Sequence, residues 1–142
     1  MAILNYTSVV PVTQTVGEIQ AVLNRRGVSR ISTVFDDESN AVGLAFKLAT
    51  DYGVRDFELP IRIEGVLAAL QSDTSIPKGK RTPEQAARTA WRIALSWLET
   101  QAALVDAELA KLDEVMMPFM VDGRGRTMYS LMRSSALGEL ER

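Results

Sequence analysis

Two arginines near the start of the longest predicted helix are the strongest candidates for chemistry in this chain. Arg88 and Arg92 lie four residues apart in the segment RTAWRIALSW, so a helix places both guanidinium groups on one face. Like charges on one face repel, and the positive end of the helix dipole also disfavours cations. A position that breaks two local rules is a candidate binding site, and phosphate is a common ligand of paired guanidinium groups.

Further basic residues extend this candidate site. The polar loop before the helix carries three cations, and the turn DGRGR carries two more beside glycines that let the backbone approach a phosphate. A plain connecting turn is the preferred interpretation of DGRGR. Trp91, between the two arginines, is predicted either to stack on a base or to pack in the core. The predicted ligand-binding residues are Arg88, Arg92, Trp91, Lys78, Lys80, Arg81, Arg124 and Arg126.

Charges are segregated along the same stretch of chain. Basic residues dominate positions 78–98 and acidic residues dominate positions 99–122, which opposes the helix dipole at both ends. One hypothesis is that the basic part binds phosphates. The competing hypothesis is that the basic part of one copy pairs with the acidic part of an antiparallel second copy, which gives a coiled-coil dimer without any ligand. Both hypotheses stay open at the level of sequence.

Composition excludes several kinds of active site. The chain has no cysteine and no histidine, so disulfides, histidine-dependent triads and Cys/His zinc sites are ruled out. The acidic cluster 36–38 with Asp51 has the ligand type of a hard metal, and Glu99, Asp106 and Asp113 share a helix face. We interpret both sets as solvated surface and predict no metal and no cofactor. Catalysis is left open, with binding preferred.

Local patterns predict an α+β fold with a small antiparallel sheet of three or four strands, one long helix and several short helices. The length of 142 residues favours a single domain over 1–133, with a flexible tail over 134–142. Thr15 and Glu18 form a capping-box signature, and Thr82 is a predicted N-cap. The predicted strands are 5–12, 28–34, 42–48 and 57–63, and the predicted helices are 16–26, 64–72, 83–112 and a last helix from Thr127.

Apolar residues on the long helix repeat with heptad spacing from Trp91 to Leu112. This spacing predicts an interface between copies of the chain. An unbroken helix over 83–112 would be about 45 Å long, so we expect it either to break or to protrude into a partner. Methionines crowd positions 116–132, and we predict that they pack under the last helix, with an oligomer contact as the second interpretation. The predicted interface residues are Leu95, Leu98, Ala102, Val105 and Leu109.

Two long segments carry a family resemblance. The stretch AWR…ALVDAELAKLDEVMMPFMVDGRGRTMY and the opening YTSVVPVTQTVGEIQAVLNRRGV resemble a widespread family of small uncharacterised proteins encoded by phages and prophages. The resemblance covers most of the chain and implies a viral or prophage origin and a cytoplasmic location in the host cell. It implies no reaction. Members often have glycine where Glu108 stands here, so whether the long helix breaks at this point stays open.

Taken together, these patterns predict a phage accessory protein that binds without catalysis. The first hypothesis is a homo-oligomer that binds a phosphate-bearing ligand at the basic helix start. That ligand would be a nucleotide, including a host defence signal, or a nucleic acid, although the net charge of −2 means that nucleic acid would need a local basic patch. The alternative is a protein–protein interaction module that self-associates or docks a host protein through the heptad residues. No apolar run is long enough for a membrane span, so no membrane partner is predicted.

Overall fold

The computed structural model describes residues 2–140, side chains included up to residue 135, and their fold is α+β. A three-stranded sheet carries helices on one face. The strands are β1 (Val28–Phe35), β2 (Ala41–Thr50) and β3 (Gly53–Pro60). The helices are α1 (Val12–Asn24), α2 (Ile63–Ser72), α3 (Pro83–Asp106), α4 (Leu112–Met116) and α5 (Met128–Leu140), with short 3-10 turns at Lys78–Lys80 and Met117–Phe119.

The sheet is an antiparallel meander in the order β1-β2-β3. Leu44, Phe46 and Leu48 alternate along β2 and are buried, because strand geometry sends every second side chain to the covered face. Phe46 is paired with Phe57 on β3, and their rings stack with centroids 5.5 Å apart. The predicted meander is therefore confirmed, although β3 ends at Pro60 rather than near residue 63.

Helices α1 and α3 pack on the sheet and form the main core with it. Trp91, Leu95 and Leu98 of α3 are buried against this layer, and Ile19 and Leu23 of α1 join them. The heptad pattern thus belongs to the core of the single chain. The expectation that Leu95, Leu98 and Ala102 contact a second copy is not compatible with this fold, because each is at most 4% exposed.

The long helix α3 ends at Asp106, close to Glu108, where the sequence did not decide whether the helix breaks. Ala107 is its C-cap, and Glu108 has a left-handed backbone with φ of 60°. The N–H of Glu108 donates to the carbonyl of Val105, and the N–H of Leu109 donates to that of Leu104. These two bonds form a Schellman motif, which ends a helix by satisfying its last carbonyls. Leu109, a predicted interface residue, is left 74% exposed beyond the helix end.

The predicted strand over 5–12 is wrong. Asn5 has φ of 64° and begins a turn, and α1 starts at Val12 after an N-cap at Pro11. The side-chain amide of Gln85 donates to the carbonyls of Tyr6 (2.7 Å) and Ser8 (2.9 Å), so this segment is held by α3 rather than by a neighbouring strand. The helix also starts earlier than the predicted residue 16, so Thr15 is buried within it and does not act as the N-cap.

The chain after α4 crosses back to the edge of the sheet. Met120 bridges Phe57 of β3, and Val121 bridges Thr127, so DGRGR forms the turn between residues 121 and 127. Helix α5 then continues to Leu140, through residues 134–140 of the segment for which a flexible tail was predicted. Residues 141 and 142 of that expected tail lie outside the described part of the chain.

Candidate functional site

The guanidinium group of Arg92 forms an ion pair within the chain. Its Nη1 lies 2.6 Å from the Glu18 carboxylate of α1 and also reaches the hydroxyl of Thr15 at 3.4 Å. The pKa of Glu18 lies below its ordinary value, because the Gln14 amide and then the Arg92 guanidinium donate hydrogen bonds to its ionised form. This pair joins α1 to α3, so Arg92 already has an anionic partner.

Arg88 is differently placed, one helical turn earlier. Its Nη2 donates to the side-chain oxygen of Gln85 at 2.7 Å, while its Nε is buried and has no hydrogen-bond partner among the described residues. The side chain lines a surface cleft of about 640 Å³. Of the eight predicted ligand-binding residues, all of which lie in the described part of the chain, Arg88 alone lines this cleft.

This cleft, hereafter the helix-start cleft, lies where α1, α2 and α3 begin. Its walls come from the first turns of the three helices and from the turn between β1 and β2. Four carboxylates face one guanidinium there, which gives the lining a formal charge of −3. The lining residues are Pro11, Val12, Asp36, Glu38, Asn40, Val42, Ile63, Glu64, Leu67, Pro83, Glu84, Ala87 and Arg88.

Trp91 is not available to stack on a base. Its ring is fully buried, and its indole N–H donates to the carbonyl of Ala41 on β2 at 3.1 Å. The three loop cations lie just before α3, with Lys78 exposed and Lys80 and Arg81 half-buried. The Nε of Arg81 is buried without a partner among the described residues. None of these three residues lines the helix-start cleft.

The DGRGR turn is organised by its own aspartate. The Asp122 carboxylate accepts hydrogen bonds from the backbone N–H groups of Arg124 (2.8 Å) and Arg126 (3.0 Å). It also accepts one from the Arg126 side chain at 2.9 Å. These bonds, that of the Arg126 backbone foremost, lower the pKa of Asp122. Gly125 takes the left-handed backbone of the turn, with φ of 75°. The arrangement fits a connecting turn.

Two of the acidic residues with the ligand type of a hard metal, Asp36 and Asp51, already have partners in the chain. Asp36 caps the turn between β1 and β2 by accepting backbone bonds from Glu38 and Asn40, both at 2.9 Å. Asp51 pairs with Lys111 at 2.9 Å. Among the side chains that the structure describes, no group of three or more Asp, Glu, His or Cys residues is arranged to hold a metal ion. Of the three carboxylates predicted on one helix face, Asp106 binds Arg26 through two bonds of 2.6 and 3.1 Å.

An exposed apolar region lies near the C-terminus. The methionines of positions 116–132 were predicted mainly to pack in the core, with an oligomer contact as the second interpretation. Met116 is fully buried, whereas Met128, Tyr129 and Met132 of α5 are exposed, Met132 by 63%. The main packing partner of α5 within the described chain is the 3-10 turn 117–119. The methionines therefore divide between the core and the surface, whereas the sequence predicted mainly core packing.

A second apolar feature lies beside that turn. A groove of about 300 Å³ runs between the end of β3, α2 and α3, and we call it the apolar groove. Trp97 and Phe119 form one wall, with their rings edge to face at 5.9 Å. The lining residues are Leu59, Pro60, Ile61, Arg62, Val66, Ala90, Ile93, Ala94, Trp97 and Phe119.

Comparisons with known proteins place no constraint on function. No family model, no curated protein and no solved structure matches the chain. Within the described residues, no helix combines the length and the apolar character needed to cross a membrane.

Proposed function

We propose that the chain is a non-catalytic accessory protein of a phage or prophage that works by protein–protein association. Its contact region is α5 together with the apolar groove, and its partner is a second copy of the same chain. The observation that carries the proposal is the exposure of Met128, Tyr129 and Met132 on a helix whose main described contact within the chain is the short 3-10 turn 117–119. Exposed apolar patches of this kind commonly mark interaction sites.

A second copy suits these two features because they lie close together and complement each other. Phe119 lines the groove, and the 3-10 turn that contains it also contacts α5. An apolar helix face that lies in an apolar groove is a common recognition mode. In a two-fold dimer, α5 of each copy would lie in the groove of the other, so one pair of surfaces is used twice.

The prediction that a nucleotide or a nucleic acid binds at Arg88 and Arg92 remains a prediction. Arg92 is paired with Glu18, and the lining around Arg88 carries four carboxylates. A phosphate at Arg88 would meet repulsion from those carboxylates, and this repulsion opposes the attraction of a single guanidinium group. For this reason the association proposal is preferred to the phosphate proposal.

The test is the mass of the purified protein as a function of its concentration. Light scattering after gel filtration should give twice the 15.6 kDa of one chain. Met132→Glu and Ile93→Glu change the helix and the groove separately, and each should weaken association at least tenfold, since burial of one such side chain contributes about 1.5–3 kcal/mol.

Leu109→Glu is the matched control. Leu109 is an even more exposed apolar residue, but it lies outside both α5 and the groove, so this variant should remain dimeric. A single-chain mass for the unchanged protein at every concentration, or dissociation by Leu109→Glu alone, would overturn the proposal.

A further inference from the structure

The helix-start cleft is lined by apolar residues, most of them half-buried, and by four carboxylates on exposed residues. We call the apolar part the floor and the acidic part the rim. Seven of its lining residues are apolar, and they come from α1, α2, α3, β2 and the ends of the loops before the helices. A surface of this kind retains a ligand with an apolar body, since removal of apolar area from water is favourable. The apolar lining residues are Pro11, Val12, Val42, Ile63, Leu67, Pro83 and Ala87.

The rim carboxylates are not neutralised by the chain itself. Asp36, Glu38, Glu64 and Glu84 have no Lys or Arg nitrogen within 4.0 Å, as far as the described residues go. Each of the three helix starts contributes about half a positive charge, which is too little to cancel a lining charge of −3. The cleft therefore stays negative and attracts cations.

The positions of these carboxylates favour a partner with several cations. Asp36 and Glu38 come from the turn between β1 and β2, Glu64 from α2 and Glu84 from α3. They belong to three separate elements around the opening, so a segment with more than one cationic side chain pairs with several of them at once.

We propose that the helix-start cleft binds a basic amphipathic segment of a partner protein, with apolar side chains on the floor and Lys or Arg side chains at the rim. This function is separate from self-association, because the helix-start cleft and the apolar groove have no lining residue in common. Complementary charge of this type directs partner choice and speeds encounter.

The probe is a fluorescein-labelled synthetic peptide of leucine and lysine in the order of an amphipathic helix, and anisotropy reports its binding. A peptide with glutamate in place of lysine should not bind. The cleft variant Glu38→Gln/Glu64→Gln/Glu84→Gln should bind the lysine peptide about tenfold more weakly than the unchanged protein, because most of the rim charge is lost.

The control variant changes net charge equally but at a distance. Glu58→Gln/Glu99→Gln/Glu108→Gln removes three carboxylates that do not line the cleft, and it should weaken binding by less than about twofold. If both triple variants weaken binding equally, the peptide responds only to net charge and the proposal is wrong. Absence of binding to the unchanged protein also overturns it. Glu38→Lys, on an exposed turn, provides the same test if the triple cleft variant fails to fold.

Discussion

Arg92 and Trp91 are neighbours on α3. The side chain of each was a candidate for ligand binding, and each makes a contact within the chain instead. The Arg92 guanidinium binds Glu18, and the Trp91 indole donates to Ala41. The sequence marked Arg92 as unusual for its place in a helix, and for Trp91 it left core packing and base stacking as alternatives. It gave no sign of their partners, which lie 74 and 50 residues away along the chain.

The indole of Trp91 makes a testable contribution to stability. Trp91→Phe removes the hydrogen bond to the Ala41 carbonyl and opens space in the core, so the free energy of unfolding should fall by about 2–4 kcal/mol. Trp97→Phe is the matched control, because Trp97 is only half-buried and makes no described hydrogen bond through its indole. This variant should lower the free energy of unfolding by less than Trp91→Phe does. Urea unfolding followed by far-UV circular dichroism measures both. An equal cost for the two variants would contradict the role given to the Ala41 bond.

The Glu18 pair predicts a dependence on pH. Because the folded pKa of Glu18 lies below the ordinary value of 4.5, its stabilising effect is fully present above pH 4.5. That effect is lost as the pH falls through the lower folded pKa. The melting temperature of Glu18→Gln should therefore lie below that of the unchanged protein at pH 6, and the difference should close in more acidic solution. A difference that widens on acidification would contradict this account, and Glu99→Gln serves as the charge-matched control.

The secondary-structure elements that were predicted well are those with a clear local sequence pattern, such as alternation or a capping residue. Strict alternation located β2 and β3, and the Thr82 hydroxyl does cap α3 by accepting from the N–H of Gln85 at 3.2 Å. The segment 5–12 was misassigned because its backbone is satisfied by side chains of α3, which no local pattern reveals. Local propensity yields to such long-range contacts.

The heptad pattern on α3 illustrates a second limit. Periodicity indicates that a helix has an apolar face, but it does not say what covers that face. Here the sheet and α1 cover it, so Leu98 is buried within its own chain. The exposed apolar side chains lie instead on α5, where Met128, Tyr129 and Met132 share one side of the helix.

The end of α3 allows a prediction about a helix stop. Glu108 has φ of 60°, which costs a side-chain-bearing residue energy that glycine avoids. Glu108→Gly should raise the free energy of unfolding by about 0.5–1 kcal/mol, measured by urea unfolding. Glu99→Gly, inside the same helix, should lower it by about 1 kcal/mol. A loss of stability in Glu108→Gly would show that the helix does not end at this residue in solution.

At the scale of the whole molecule, the described core lies before α5. Among the side chains described, the last buried core residue is Met116, and only partly buried residues such as Phe119 and Met120 follow it in the main core. Under the association proposal, stability and self-association therefore depend on different parts of the chain. The sequence indicated the core through its patterns, whereas the two candidate surfaces emerged only when distant elements came together.

Removal of α5 tests this division. A chain that ends at Thr127 should keep its far-UV spectrum apart from the lost helix, and its melting temperature should fall by no more than a few degrees, about 1 kcal/mol. Its mass by light scattering should be that of a single chain. Unfolding of the shortened chain would show that α5 belongs to the core, and a dimeric mass would show that α5 is not the contact.

The two tryptophans occupy very different environments, so their intrinsic fluorescence can report on the state of the molecule. Trp91 is sealed in the core, whereas Trp97 lies in the wall of the apolar groove, and the chain has no third indole. A small aqueous quencher such as acrylamide therefore reaches one fluorophore and not the other. Shielding of Trp97 as protein concentration rises would report occupation of the groove without any label, with the emission of Trp91 as the internal reference.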